Sequence, residues 1–355
     1  MGERFPAGAP TRSVLADPTL HVARAPARVN LIGDHTDYTG GLVLPMAIDR
    51  WTEVRVAESD EQVVRLTSSI EDHPAVVPLD VDDPSLLTPG WARYVGAVVA
   101  EVRPRVGLVG TVSSDVPAGA GLSSSAALEV ACALAMGASP DDPLALARLC
   151  QRAEHRAVGV PSGIMDQLAC AAGIEGHALL IDCTSMRVTP VALPAPDAAE
   201  FVVVHSGQQR SLAGSAYAER VAQCAAAEAV VGPLRSAVVA DVARIVDDVV
   251  RARAHHVVSE NERVRSFVAA LAAGDLSGAG SLMDASHESL RTDYGVSTDV
   301  LDALCRRLRA LPGVLGVRLT GAGFGGCVVA LCRPGAITEG WHVRAVGGAH
   351  VVVEG

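Results

Sequence analysis

The chain has 355 residues, enough for two domains, and its 49% hydrophobic and 19% charged content excludes a disordered or fibrous protein. A formal net charge of −11 argues against a nucleic-acid binder, which needs a basic face to replace counterions at phosphates. There is no lysine at all, so a Walker-type phosphate loop, a protein-kinase fold and a pyridoxal enzyme, each built on a lysine, are excluded.

From the N-terminus, residues 1–19 carry Pro, Gly and Ala without periodicity and read as a loose arm. A strand-like stretch over 28–32 ends at Gly33 and runs into Asp34, His35, Thr36 and Asp37. Two carboxylates flanking a His and a Thr are costly to bury unless they bind something. Such acceptors suit a neutral polyol, although the residues alone also allow an exposed acidic turn. Alternation predicts strands over 50–56 and 63–67, and Pro89-Gly90 and Pro104 bracket a helix over 91–102.

A strand over 108–113 then feeds a turn rich in small residues. Gly119, Ala120, Gly121 and Leu122 are followed by Ser123, Ser124 and Ser125 at the head of an apolar helix over 123–136. The glycines let main chain approach an oxyanion, and the free N–H groups of a helix start favour phosphate. A Ser-capped helix after an ordinary turn is the plainer alternative. Helices are expected over 143–158 and 166–172, the second after Pro161-Ser162-Gly163. Asp166 there is either a helix cap or a single carboxylate in an apolar setting.

Strands over 178–182 and 201–205 are separated by a Pro-rich stretch at 190–196, the candidate boundary between domains 1–189 and 190–355. Helices follow over 215–231, 241–254, 259–273 and 297–310, with strands over 314–320, 327–332 and 349–353. This irregular alternation points to an α+β fold. The eight cysteines form no C-x-x-C pair, so a zinc site is not expected. With neither a leader-like segment nor a long apolar run, a cytoplasmic protein with no membrane partner is expected.

Three segments carry a family resemblance. The run 117–126 is similar to the P-x-G-x-G-L-S-S-S-A phosphate loop of the GHMP small-molecule kinases, which bind ATP without a Walker lysine. The run 28–38 resembles the R-V-N-L-I-G-E-H-T-D-Y signature of galactokinases, and 163–167 resembles their G-I-M-D-Q motif. Weaker similarity extends to Trp91 and Tyr94, to 211–217, to 286–291 and to the glycine loop over 319–327. The resemblance implies a two-domain GHMP kinase fold, with an N-terminal ribosomal protein S5 domain 2-like part and a C-terminal ferredoxin-like α/β part. It implies ATP-dependent phosphorylation of galactose at the anomeric hydroxyl with Mg²⁺, by a monomer or weak dimer. By position, Asp166 and Arg28 are catalytic, and Gly119 to Ser125 bind the nucleotide. Ser125 and Glu154 hold the metal, while Asp34, His35, Thr36, Asp37, Gly163 and Tyr217 contact the sugar. There are departures: Asp34 stands where the signature has Glu, which bears on specificity, Ala27 stands where Gly is usual, a harmless change, and Ser211 stands where His is common. Asp34 keeps open a kinase for arabinose, N-acetylgalactosamine or a uronic acid, beside a non-catalytic galactose and ATP sensor.

Overall fold

The structure, a computed structural model, describes residues 20–117, 119–208 and 213–352; the arm expected over 1–19 lies outside them. The first half contains β1 (Leu20–Asn30), β2 (Leu42–Val43), β3 (Pro45–Ser59), β4 (Val63–Ser68), β5 (Ala75–Pro78), α1 (Ala92–Val102) and β6 (Gly107–Ser114). Then come α2 (Ser124–Ala135), α3 (Pro143–Val158), α4 (Met165–Ala172), β7 (His177–Asp182), β8 (Arg187–Ala192) and β9 (Glu200–His205). The second half is largely helical: α5 (Ala213–Val231), α6 (Val239–Val242), α7 (Asp248–Ala272), α8 (Leu276–Thr292) and α9 (Asp299–Arg309). It ends on β10 (Val314–Leu319), β11 (Cys327–Cys332), β12 (Trp341–Val343) and β13 (His350–Val352).

The strands form three sheets, ordered β13-β1-β3-β6-β4-β5, β10-β11-β9-β12 and β2-β7-β8. Only β4 and β6 pair in parallel, as the intervening β5 and α1 permit. Helices α1 to α4 cover one face of the six-stranded sheet around a core of Val54, Val98, Val130 and Leu168, all 0–1% exposed. The helix α2 is buried nearly all round, as its composition predicts. A second core, with Leu31, Met46, Phe267 and Val329, joins the halves, and a third fills the space between β9–β11 and α5–α9. Mixed helices and sheets in this arrangement are the expected α+β class.

Several elements differ from expectation for identifiable reasons. β1 is longer than 28–32 and shifts register between Pro26 and Ala27, where proline can donate no ladder bond. The Pro-rich stretch begins as strand: β8 contains Pro190, tolerated because β8 is an edge strand paired only with β7. The helices expected over 241–254 and 259–273 are one, α7, and residues 243–247 lie outside it. The expected break at 255–258 is helical, and just beyond it Glu260 and Asn261 point inward and bind the loop after β1. The helix α8 went unread because of its Gly and Ser content, which close packing requires: a Cβ at Gly280 would meet the Leu315 carbonyl oxygen at 2.1 Å. β13, from the far end of the second half, joins the first sheet beside β1.

The same contact yields a stability test. A Cβ at Gly316 would meet the Gly280 carbonyl oxygen at 2.1 Å, whereas one at Gly347 meets nothing within 4 Å. Gly316→Ala is expected to lose about 1–3 kcal/mol through overpacking of α8 on β10. Gly347→Ala should leave the urea midpoint unchanged, and equal midpoints for the two variants would contradict the packing described.

Candidate active site

Three loops converge where the two halves meet: the turn after β1, the glycine turn before α2 and the glycine loop between β10 and β11. Each carries a non-glycine residue in the left-handed region, namely His35 (φ 65°), Ser123 (φ 59°) and Phe324 (φ 60°). Such conformations persist only where surroundings impose them, and they gather at working sites.

Arg28, at the buried end of β1, makes the central contact. Its Nε and Nη2 donate to Asp166 Oδ1 and Oδ2 at 2.8 and 2.7 Å. Its Nη1 donates to the Gly121 carbonyl at 2.7 Å, and its backbone N–H to that of Leu122 at 3.2 Å. One fork thus joins the first strand, the glycine turn and α4. Asp166 lies in the first turn of α4, whose N-cap is Ile164, so the aspartate is not the cap. Ser123 is likewise not a side-chain cap of α2; its hydroxyl donates to Asp166 Oδ2.

Beside this pair, Ser125 Oγ donates to Glu154 Oε1 at 3.0 Å. Glu154 Oε2 accepts from Ser162 Oγ at 3.0 Å and Gln167 Nε2 at 2.8 Å. The same Gln167 nitrogen lies 3.2 Å from Glu129 Oε2. Glu129 is fully buried without a cation, and burial holds its carboxyl well above the usual range. A hydroxyl and a carboxylate at a glycine turn form a hard-oxygen pair suited to Mg²⁺, which takes few protein ligands and completes its shell with phosphate and water. Among the described residues no group of three or more His, Cys, Asp or Glu gathers as a self-sufficient metal site.

Two cavities flank the fork. One is lined by Arg28, Asp34, His35, Asp37, Glu154, Gly163, Asp166, Tyr217 and the glycine loop at Gly321 and Ala322. The other runs over Ser124 and Ser125 to Trp91, Tyr94, Thr52 and Leu128. Gly119 and Gly121 take positive φ between them, while Ala120 and Leu122 turn into the core. Gly163 admits no side chain, since a Cβ would fall 1.7 Å from Asp37 Oδ2. Burial, reinforced by nearby Asp166, pushes the Asp37 carboxyl up to about 7.

His35 is held on both ring nitrogens: Nδ1 lies 3.0 Å from the Tyr38 hydroxyl and Nε2 3.2 Å from the Ala322 carbonyl. Donation from Nε2 to that carbonyl leaves Nδ1 to accept from Tyr38. The Tyr217 and Tyr294 rings lie 5.8 and 4.7 Å from the His35 ring. The chain has four tyrosines: Tyr38, Tyr217 and Tyr294 surround His35, Tyr217 lining its cavity, and Tyr94 lines the other. Tyr294 and Ser162 were not singled out from the sequence; the scarcity of tyrosine was the available signal.

Thr36 stands apart from the rest of its motif. It is fully buried, it does not line the cavity, and its hydroxyl donates to the carbonyls of Gly33 and Leu42 at 2.9 and 2.7 Å. It shapes the loop from behind. Ala118 and Ser211 fall outside the described residues.

Comparison with known proteins bears on this geometry. The galactokinase galactose-binding signature matches residues 13–58, and the N- and C-terminal domains of GHMP kinases match 93–174 and 267–342. The chain is 44% identical to galactokinase of Chloroflexus aurantiacus, over 92% of this chain and 89% of that one. It is 43% identical to human galactokinase, over 90% and 86%. In three dimensions it is similar to Lactococcus lactis galactokinase complexed with galactose, with TM-score 0.86, 28% identity and coverage of 93% and 95%. A mevalonate kinase shares the fold at TM-score 0.64 and 21% identity, over 89% and 92% of the two chains. Resembling such relatives at more than two-fifths identity along most of its length, and matched in both halves, the chain belongs to the galactokinase family of GHMP kinases.

Proposed function

We propose that this chain transfers the γ-phosphoryl group of ATP to the anomeric hydroxyl of D-galactose, giving galactose 1-phosphate and ADP. The observation that carries the reading is the Arg28–Asp166 fork, which is fastened to the glycine turn on one side and opens to the sugar-sized cavity on the other. The galactose-binding signature over the loop that lines this cavity supports the choice of sugar.

In this reading the sugar lies against Asp37, His35 and Tyr217, with Asp34 in the wall behind. Hydroxyl groups donate to the carboxylates, and Tyr217 covers an apolar face. Asp166 orients the anomeric O–H and takes its proton as that oxygen bonds to the γ-phosphorus. The bond to the bridging β–γ oxygen breaks, and ADP leaves with the electron pair. Arg28 lies where negative charge shifts during transfer, and positioning with charge stabilisation supplies most of the rate. Residues 119–125 offer backbone N–H groups to the phosphates, and Trp91 and Tyr94 line the cavity we assign to the base. Ser125 and Glu154 would hold Mg²⁺, which neutralises phosphate charge when bound. We place the protein in a reducing cytoplasm as a monomer or weak dimer acting on sugar and ATP, a placement supported by eight buried free cysteines. Among the described residues, no helix is long and apolar enough to cross a membrane. We take 1–189 and 190–355 as the two domains, with β13 returned to the first.

The reading is tested by scoring ADP release from ATP and Mg²⁺ with galactose, arabinose, N-acetylgalactosamine and galacturonic acid. Galactose should give the highest kcat/KM; equal use of arabinose would remove the sugar assignment and leave the kinase. Asp166→Asn should melt below wild type, because Arg28 loses its counter-charge, and at a temperature where it is still folded should keep a near-normal ATP KM but lower kcat at least about a hundredfold. A rate near wild type would make Asp166 merely an anchor for Arg28. Ser125→Ala and Glu154→Ala should each raise the Mg²⁺ concentration for half-maximal rate, and unchanged titrations in both would place the metal elsewhere.

Asp37 gives a pH test on sugar-free protein. Its carboxyl titrates near 3.8 when unfolded and near 7 when folded, so the folded state binds the proton more tightly. Its contribution to stability is complete below the lower value and is lost as pH rises through the upper one. Between pH 5 and 8 the melting temperature of wild type should therefore fall relative to that of Asp37→Asn. Parallel curves would show that Asp37 titrates normally.

A further inference from the structure

The wall of the cavity formed by Asp34 is held from behind by a residue that the reaction itself leaves unused. Asp34 is 1% exposed, and its carboxylate is already engaged. Oδ1 accepts the Gly321 N–H at 2.9 Å, and Oδ2 lies 2.5 Å from Arg318 Nη2. Arg318, on β10, is 0% exposed, and its Nη1 reaches the Asn30 carbonyl at 3.4 Å. Arg318 and Asp34 thus meet as a buried ion pair, and Arg318 Nε has no hydrogen-bond partner among the described residues. The other carboxylate near this guanidinium, Glu260, is committed elsewhere, accepting from Arg263 Nε at 2.6 Å, the Gly33 N–H at 3.0 Å and Ser286. Asp34 is thus the counter-charge in contact with a guanidinium buried in a low-dielectric interior, and a buried cation without its partner is strongly unfavourable.

We propose that Arg318 is a positioning residue for the sugar: through Asp34 it fastens the turn after β1 to the glycine loop between β10 and β11, setting the separation of the two cavity walls. These walls come from opposite halves of the chain and are also tied by the His35 to Ala322 hydrogen bond at 3.2 Å and by Thr320 Oγ1, which donates to the Asn30 carbonyl at 3.0 Å. The aspartate carboxylate is spent on Arg318 and Gly321 before any substrate arrives. Its shorter side chain serves this inward contact, and the hydroxyls of the sugar are left to Asp37, His35 and the backbone. The inference rests on reading the cavity as the sugar site, but the pairing itself does not.

The test has two arms. In the first, Asp34→Asn, Arg318→Met and the double variant are melted without substrate. Asp34→Asn should melt below wild type, because the guanidinium loses its counter-charge, and the double variant should regain most of that loss. Melting of Asp34→Asn at or above the wild-type temperature, or losses that simply add in the double variant, would overturn the pairing. Should Arg318→Met fail to fold, the Asp34→Asn melt alone decides. In the second arm, Arg318→Met should raise the galactose KM about tenfold or more with the ATP KM unchanged, and Arg318→Lys, which keeps a cation beside Asp34, should recover part of it. An unchanged galactose KM beside a coupled melt would make the pair structural only and overturn the positioning role. A wild-type protein that turns over no sugar would instead refute the proposed reaction, and the melting arm would still report on the pair.

Discussion

A buried guanidinium must be paired, and Arg28 meets that requirement with a single carboxylate held on both oxygens. It is 3% exposed, and each of its three guanidinium nitrogens donates to Asp166 or to the Gly121 carbonyl of the glycine turn. Three segments far apart in the chain therefore share one geometry. The end of β1 fixes where the glycine turn sits, the turn fixes where α2 begins, and Asp166 fixes the start of α4. With no lysine anywhere in the chain, the buried cation at this junction is a planar guanidinium, whose fork engages a carboxylate and a carbonyl at once in a way a point-charge ammonium does not.

Around that fork the protein divides its labour by half. The first half supplies the glycine turn, the hydrogen-bonded pair Ser125 and Glu154 and the aromatic cavity at Trp91 and Tyr94. The second half contributes mostly walls and supports: the glycine loop at 320–326, Tyr217, Tyr294 and the inward-facing polar residues of α7. The net charge of −11 sits uneasily with a polyanionic substrate unless attraction is local. Backbone N–H groups at a helix start meet that need, since they attract phosphate without adding side-chain charge.

Much of the site was legible because its chemistry demands particular residues close together in sequence. Glycines beside serines at 119–125, carboxylates around His35 and a lone Asp166 after Gly163 announce themselves locally. What stayed hidden depends on partners hundreds of positions away. Arg318 is one residue of an expected strand and Tyr294 falls between expected elements, and their meaning comes from Asp34 and Tyr38 across the interface. The interruption expected at 255–258 is continuous helix, where His256 and Val257 are buried by tertiary packing. The contact that fits Gly280 of α8 against β10 cannot be seen along the chain. Thr36 misled in the opposite direction, a polar residue in the right motif whose hydroxyl is consumed by its own loop.

The return of β13 to the first sheet bears on how the protein is made. β1 pairs with β3 on one side, but its other side, at residues 22–24, is covered among the described strands by residues 350–352. Those residues are translated after every other described element. While the ribosome is still producing the second half, the nascent first sheet carries an open edge of unpaired backbone groups. Such edges recruit strands from neighbouring chains. A polysome crowded with half-made copies, or a message truncated anywhere in the second half, therefore presents a longer open edge on β1 than the finished molecule, in which β13 covers residues 22–24.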